Sequence, residues 1–169
     1  NGTELVYPPE SRPKYSNAGI AVVGYVLERL SGEPFADHVQ RHVLEPLGLH
    51  ASAFEPTPDI ERQLARGLMW SYDGREFVAP TFELGMAPAG SLYSTVLELG
   101  RFLTVVFDGG EPVLEPATLQ QMLTPQYAAE GARTGFGLGF AVGELAGHTS
   151  YGHGGAIYGF ATQLQFLAD

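Results

Sequence analysis

Two short stretches of this chain carry side chains whose types and spacing could do chemistry. The first is Tyr15-Ser16-Asn17-Ala18-Gly19. A phenol and a carboxamide two residues apart, where a loop runs into a helix, can face one cleft. The helix start holds them rigidly and leaves backbone N–H groups unpaired. The same residues also suit a plainer role, with Tyr15 a half-buried aromatic and Ser16 or Asn17 the helix cap. The second stretch is Tyr151-Gly152-His153-Gly154-Gly155-Ala156-Ile157-Tyr158-Gly159-Phe160, leading into the last strand. Glycines beside a histidine let a ligand backbone lie close against a strand. If that strand is an edge, the Ala156 N–H would be free to point into a cleft. A bulge with a solvent-facing histidine accounts for the same residues.

Three other groupings invite a chemical reading and do not sustain it. His38 and His42 stand four apart on a helix, with His50 nearby, a spacing that tempts a zinc assignment. The run His-Val-Gln-Arg-His lacks the glutamate of a metalloprotease motif, and no supporting carboxylate pattern stands out. The expectation is solvent-facing histidines and no metal. Ser150 lies in Gly147-His148-Thr149-Ser150-Tyr151-Gly152. This is not a Gly-x-Ser-x-Gly elbow, and it leads into a strand rather than a helix. Asp59 and Glu61 read as a solvated face, because no apolar pocket is implied around them.

The elements that must position these residues follow from hydrophobic period and punctuation. Ile20, Val23, Val26, Leu27 and Leu30 give a helix over 18–30, closed by Ser31-Gly32. Pro34 suits the first turn of a second helix, with Phe35, Val39 and Val43 on one face and Pro46 as the stop. Leu47-Gly48-Leu49 then makes a buried turn. Residues 60–66 predict a short helix. Segments 68–72 and 76–78 flank Asp73-Gly74 as a hairpin. Thr95 and Glu98 have capping-box spacing and open a helix through Phe102 and Val106 that Gly109-Gly110 ends. Residues 116–123 predict another helix. Beyond it the period becomes two: Phe136 to Phe140 alternates, and Phe160, Thr162, Leu164 and Phe166 share a strand face. Helices come first and an antiparallel sheet last.

Composition narrows the functions available. The 169 residues are 44% hydrophobic and 17% charged, a globular balance. The 22 glycines and 12 prolines imply many turns and close backbone approaches. Nineteen acidic against nine basic residues give a net charge of −10, which repels phosphate backbones and anionic membrane surfaces and excludes nucleic-acid binding. With no cysteine there is no disulfide, thiolate nucleophile or Cys-ligated zinc. Apolar runs fall short of the ~20 residues of a membrane span, and no signal-peptide pattern heads the chain. The start at Asn1-Gly2-Thr3, the first methionine at Met69 and the close inside the strand pattern 163–169 lead us to expect a piece of a larger protein.

Taken in order, the short motifs form a set. They are Tyr15-Ser16-Asn17-Ala18-Gly19; Leu30-Ser31-Gly32 with Pro34-Phe35; Glu45-Pro46-Leu47-Gly48-Leu49; Ala87-Pro88-Ala89-Gly90-Ser91-Leu92-Tyr93-Ser94-Thr95; Phe136-Gly137-Leu138-Gly139-Phe140; and His153-x-Gly155-x-x-x-Gly159-Phe160. The set resembles the serine β-lactamase and penicillin-binding-protein superfamily, in its class C-like branch of β-lactamases, esterases and D-amino-acid peptidases. The resemblance implies an α+β fold within one catalytic domain. Residues 1–130 would be a mainly helical lobe, and 131–169 antiparallel strands of a β-lactamase/transpeptidase-like sheet.

Members of that superfamily use Ser-x-x-Lys, then Tyr-x-Asn, then Lys-Thr-Gly or His-x-Gly. The second and third are here. The one lysine makes Ser11-Arg12-Pro13-Lys14 the only literal match to the first, and proline in this segment disfavours the helix that would put serine and lysine on one face. The nucleophile is therefore expected outside these residues. By resemblance, Tyr15 works with the absent lysine as general base. Asn17 holds the acyl portion, Gly154 and Gly155 admit the substrate, and the Ala156 N–H is one oxyanion donor. His153 stands where many relatives carry lysine. That tilts the expectation away from a typical class C β-lactamase and toward esterases and D-amino-acid peptidases. The implied reaction is hydrolysis of a small β-lactam, ester, amide or peptide through an acyl-enzyme, with no metal or cofactor. Family habit favours a periplasmic or secreted protein, and the cytoplasm stays open. The competing class is a non-catalytic ligand- or partner-binding domain on the same scaffold. A Ser-x-x-Lys upstream would favour the enzyme.

Overall fold

The computed structural model describes residues 2, 4–81 and 85–167. Helix α1 runs Asn17–Ser31; the Ser16 hydroxyl caps it by accepting from the Gly19 N–H, and Gly32 ends it in the left-handed conformation at φ 78°. Helix α2, Phe35–Val39, runs on without a break into a π turn over Gln40–Leu44, where the Glu45 N–H donates to the Gln40 carbonyl at 2.9 Å. The expected second helix is thus present, with its last turn widened. Leu49 is buried after the Gly48 turn. Helix α3 is Pro58–Gln63, and strands β1 (Leu68–Trp70) and β2 (Glu76–Val78) form the expected hairpin.

Helix α4, Val96–Phe107, starts as its sequence predicts, with the Thr95 hydroxyl accepting from the Glu98 N–H at 3.2 Å. The reciprocal half of the capping box is replaced by a longer-range contact. Glu98, 5% exposed, accepts from the Ala51 N–H at 2.8 Å and from the Ser52 hydroxyl at 2.5 Å, and Ser52 and Ser94 share a bond of 2.7 Å. A bridge between Ala53 and Tyr93 runs alongside. Glu98 therefore ties the loop after α2 to the start of α4. Glu98→Ala would remove the carboxylate that the Ala51 N–H and the buried Ser52 hydroxyl now meet. We expect a loss of about 2–4 kcal/mol, since bonds to charged acceptors are the strong ones, read as a lower denaturation midpoint. A Glu98→Ala variant as stable as the parent would show that the tie carries nothing.

Helix α5, Pro116–Leu123, precedes a four-stranded antiparallel sheet in the order β3-β4-β5-β6. These strands are Gly135–Phe136, Ala141–Leu145, His148–Ile157 and Phe160–Leu167. Two expectations need correction here. The alternating run 136–140 is a strand only at its first residue. Gly137 lies so close to the Met122 carbonyl that a Cβ would stand 2.0 Å from it, and Gly139 has φ 86°, so the chain turns instead of pairing. And the histidine stretch does not merely lead into the last strand; it forms a strand of its own, β5, joined to β6 by the Tyr158-Gly159 turn. The expected strand pattern 163–169 is confirmed to Leu167, its last two residues lying outside the described ones.

The core sits between this sheet and helices α4 and α5. Val106, Leu119, Phe140 and Phe166 are buried, packed by Phe102, Leu103, Met122, Leu123, Tyr151 and Leu164. Phe166 is its hub: Phe107 and Phe140 meet its ring edge-on at 5.8 and 5.7 Å, and Tyr151 stacks on it at 5.4 Å. Helix α1 contrasts with this. Its one buried residue is Gly24, fitted so tightly against Pro88 that a Cβ would fall 2.1 Å from the ring. Its apolar side chains Val22, Val23, Tyr25 and Leu30 are exposed.

Candidate active site

The cap that starts α1 also places Tyr15. Because Ser16 is fixed in extended geometry by its bond to Gly19, the residue before it leaves the helix axis and presents its ring outward. Tyr15 is 64% exposed. Its ring centroid lies 5.9 Å from that of His153, the planes tilted by 34°. The two motifs, 138 positions apart in the sequence, therefore meet in space. Asn17 opens α1 two residues from Tyr15 and is exposed.

His153 is on β5 opposite Leu164 of β6. Along an antiparallel pair, directly opposed side chains share a face. Tyr151 with Phe166 and His153 with Leu164 thus lie on the helix-covered face of the sheet, and His153 continues the core face out to its rim. Its Nδ1–H donates to the Gly154 carbonyl at 2.6 Å. In the neutral ring this leaves Nε2 as an acceptor.

The pairing of β5 changes at the same place. Strand β4 pairs with β5 from His148 to Gly152 and no further, whereas β6 follows β5 to Ile157. Past Gly152, among the described strands, β5 has a ladder on one side only. Gly154, Gly155 and Ala156 belong to this half-open stretch. The glycines there also have a packing reason, absent from the sequence reading. A Cβ on Gly155 would come within 2.6 Å of the Thr162 hydroxyl, and one on Gly154 within 3.0 Å of the Gln163 side chain. At the end of the hairpin, Gly159 (φ 76°) packs onto Gly67 so closely that a Cβ would meet its Cα at 2.8 Å, which joins the β1–β2 hairpin to the rim.

A shallow depression of about 360 Å³ is lined by Gly143, Ser150, Gly152, His153, Gly154 and Gln163 among others. All of these but His153 alternate with the core-facing residues, so the depression opens mainly on the reverse face of the sheet while including His153 in its lining. The meeting of Tyr15 and His153, at the rim of the helix side, is the better site on chemical grounds.

The other sequence assignments fall as follows. Residues 11–14 are not helical, and the Ser11 hydroxyl donates to the Pro8 carbonyl at 2.7 Å. Ser150 is buried in the sheet. Asp59 pairs with Arg62 within α3 as a surface ion pair. His38 and His42 are not simply solvent-facing: both approach Glu33, and the structure corrects that expectation. Among the described residues no helix is long and apolar enough to cross a membrane.

Known proteins share this fold. The chain is 26% identical over 166 residues to beta-lactamase-like protein 2 of Dictyostelium discoideum, covering 96% of this chain and 30% of that protein. An octameric penicillin-binding protein homologue from Pyrococcus abyssi superposes with a TM-score of 0.86 at 25% identity, over 96% of this chain and 37% of the other. A D-stereospecific amidohydrolase from Streptomyces sp. gives 0.81 at 26% identity, over 99% and 50%. The chain thus spans 30% of the curated relative and no more than half of either structure. A family model described as Beta-lactamase matches residues 1–169. By that match over its whole length, the chain belongs to the beta-lactamase family.

Proposed function

We propose that these residues form the tyrosine-and-histidine half of a serine hydrolase, part of one catalytic domain, that cleaves an ester or amide of a D-amino acid through an acyl-enzyme. The observation that carries the reading is the approach of Tyr15 to His153. It puts a phenol, an imidazole and a half-open strand at one rim. The name of the Streptomyces neighbour, a D-stereospecific amidohydrolase, supports the substrate class. So does histidine at 153, where a permanent cation for a substrate carboxylate is missing.

In this reading the nucleophilic serine and its lysine lie outside residues 1–169. Tyr15 takes the serine proton as the serine oxygen attacks the carbonyl carbon, and then gives it to the departing alcohol or amine. Free phenol ionises near pH 10, so a cation beside Tyr15 is needed to make its anion available at neutral pH. The upstream lysine fills that role, and a protonated His153 adds to it. The Ala156 N–H, on the half-open part of β5, donates to the carbonyl oxygen as it gains charge. Asn17 holds the acyl carboxamide, and Gly154 and Gly155 let the substrate backbone lie beside the strand. Water then deacylates the serine, Tyr15 again moving the proton.

The full-length protein should hydrolyse D-alanine p-nitroanilide or a matching ester with an initial burst, and the L-enantiomer far more slowly. Binding of both enantiomers with no turnover of either would favour the competing reading, a non-catalytic ligand-binding domain on this scaffold.

A further inference from the structure

At the far end of α1 from Tyr15, a second cluster forms around Glu33. Its Oε1 lies 3.1 Å from His38 Nδ1 and 3.4 Å from His42 Nε2, while Arg41 Nη1 stands 2.7 Å from Oε2. The two imidazoles are 4.5 Å apart by centroid, and the three donor atoms all lie within 4.8 Å of one another. Helix α1 holds 15 residues, which puts this cluster about 22 Å from Tyr15 along the helix. It is separate from the proposed active site.

We propose that Glu33, His38 and His42 form a binding site for a divalent transition-metal ion of the zinc class. Between the two histidines, Val39-Gln40-Arg41 holds no carboxylate. The fold supplies it from the loop before α2 instead. Donor spacing fits the assignment. Nitrogen and oxygen ligands at about 2.0–2.2 Å around a tetrahedral ion stand about 3.3–3.5 Å apart, and the two Glu33 contacts are 3.1 and 3.4 Å. Three protein ligands leave a fourth position for water, and His42 is half exposed, so an ion has a path in.

Two features of the surroundings prepare the ligands. Arg41 faces the other carboxylate oxygen. It pairs with Oε2 as a charge, without a hydrogen bond, and leaves Oε1 to the ion. The helix also widens after His38 into its π turn, Gln40–Leu44, which carries His42, and such turns recur at functional sites. An ion here would clip the loop after α1 to α2.

The test is calorimetric titration of the purified protein with ZnCl₂ in a non-chelating buffer. We expect saturable binding of one ion, weakened by more than about 10–100-fold in His38→Ala, His42→Ala and Glu33→Gln, a loss at least as large as that for removing an outer partner of a ligand. His148→Ala, on the sheet, should bind as the parent does. On the unsubstituted protein, zinc should shift the imidazole nitrogen resonances of His38 and His42 ahead of those of His50, His148 and His153, which keeps the test independent of how the variants fold. No saturable binding, binding retained by the His38→Ala/His42→Ala double variant, or binding undiminished in Glu33→Gln would each overturn the three-ligand site.

Discussion

Tyr15→Phe in the full-length protein should lower kcat by about 10²–10⁴-fold, the range for losing a positioned acid–base group. The substitution removes one oxygen and leaves the ring beside His153. Since the side chain is largely exposed, the fold should not notice. KM should change little, because the hydroxyl is asked to move a proton rather than to hold the substrate, and losses confined to kcat mark interactions made in the transition state. The measurement is steady-state turnover of a D-configured ester, with thermal denaturation as the control. An unchanged kcat in a protein that still acylates would reduce Tyr15 to a packing residue.

The second large effect concerns residues 1–169 alone. Produced by themselves, they should show no acyl-transfer burst, because Tyr15 and Ala156 would have no nucleophile to assist. Ser11 does not fill the gap: its hydroxyl is already engaged with the Pro8 carbonyl, in a segment without the helical turn that would bring a lysine to it. The same piece should bind a hydrophobic dye and self-associate. Leu30 is 82% exposed on α1, and Val96 and Leu97 are 86% and 81% exposed on α4. Together with the neighbouring apolar residues of α1 they leave uncovered surface that the remainder of the protein is expected to cover. Burst hydrolysis of p-nitrophenyl acetate by this piece, abolished by Ser11→Ala, would place the nucleophile at Ser11 and break the account. A monomeric, cooperative thermal transition without dye binding would show that its apolar faces need no cover.

The parts of this structure legible in the sequence are those fixed by local rules. The limits of α1 follow from Ser16 and Gly32, the β1–β2 hairpin from Asp73-Gly74, and the start of α5 from Pro116. Tyr15-x-Asn17 and His153-x-Gly155 are also legible as motifs, and the fold brings the tyrosine to the histidine. What stayed hidden depends on partners distant in the chain. Capping-box spacing could not reveal that Glu98 turns away from Thr95 to hold Ala51 and Ser52. Alternation in 136–140 could not reveal the Met122 carbonyl that forces a turn at Gly137. The strand β4 carries too weak a period to be seen, with two of its five residues exposed, and it exists through its register with β5. The His38–His42 pair was visible, but its carboxylate was not, since Glu33 reaches it from outside the helix.

The central claim is that these residues serve a serine held elsewhere in the same protein, and covalent labelling tests it most directly. The full-length protein is treated with a fluorophosphonate, and the adduct is located by peptide mass spectrometry. The account predicts a single modified serine outside residues 1–169, followed three residues later by lysine, and slower labelling in Tyr15→Phe. An adduct on Ser11, or on any other serine within residues 1–169, would contradict it.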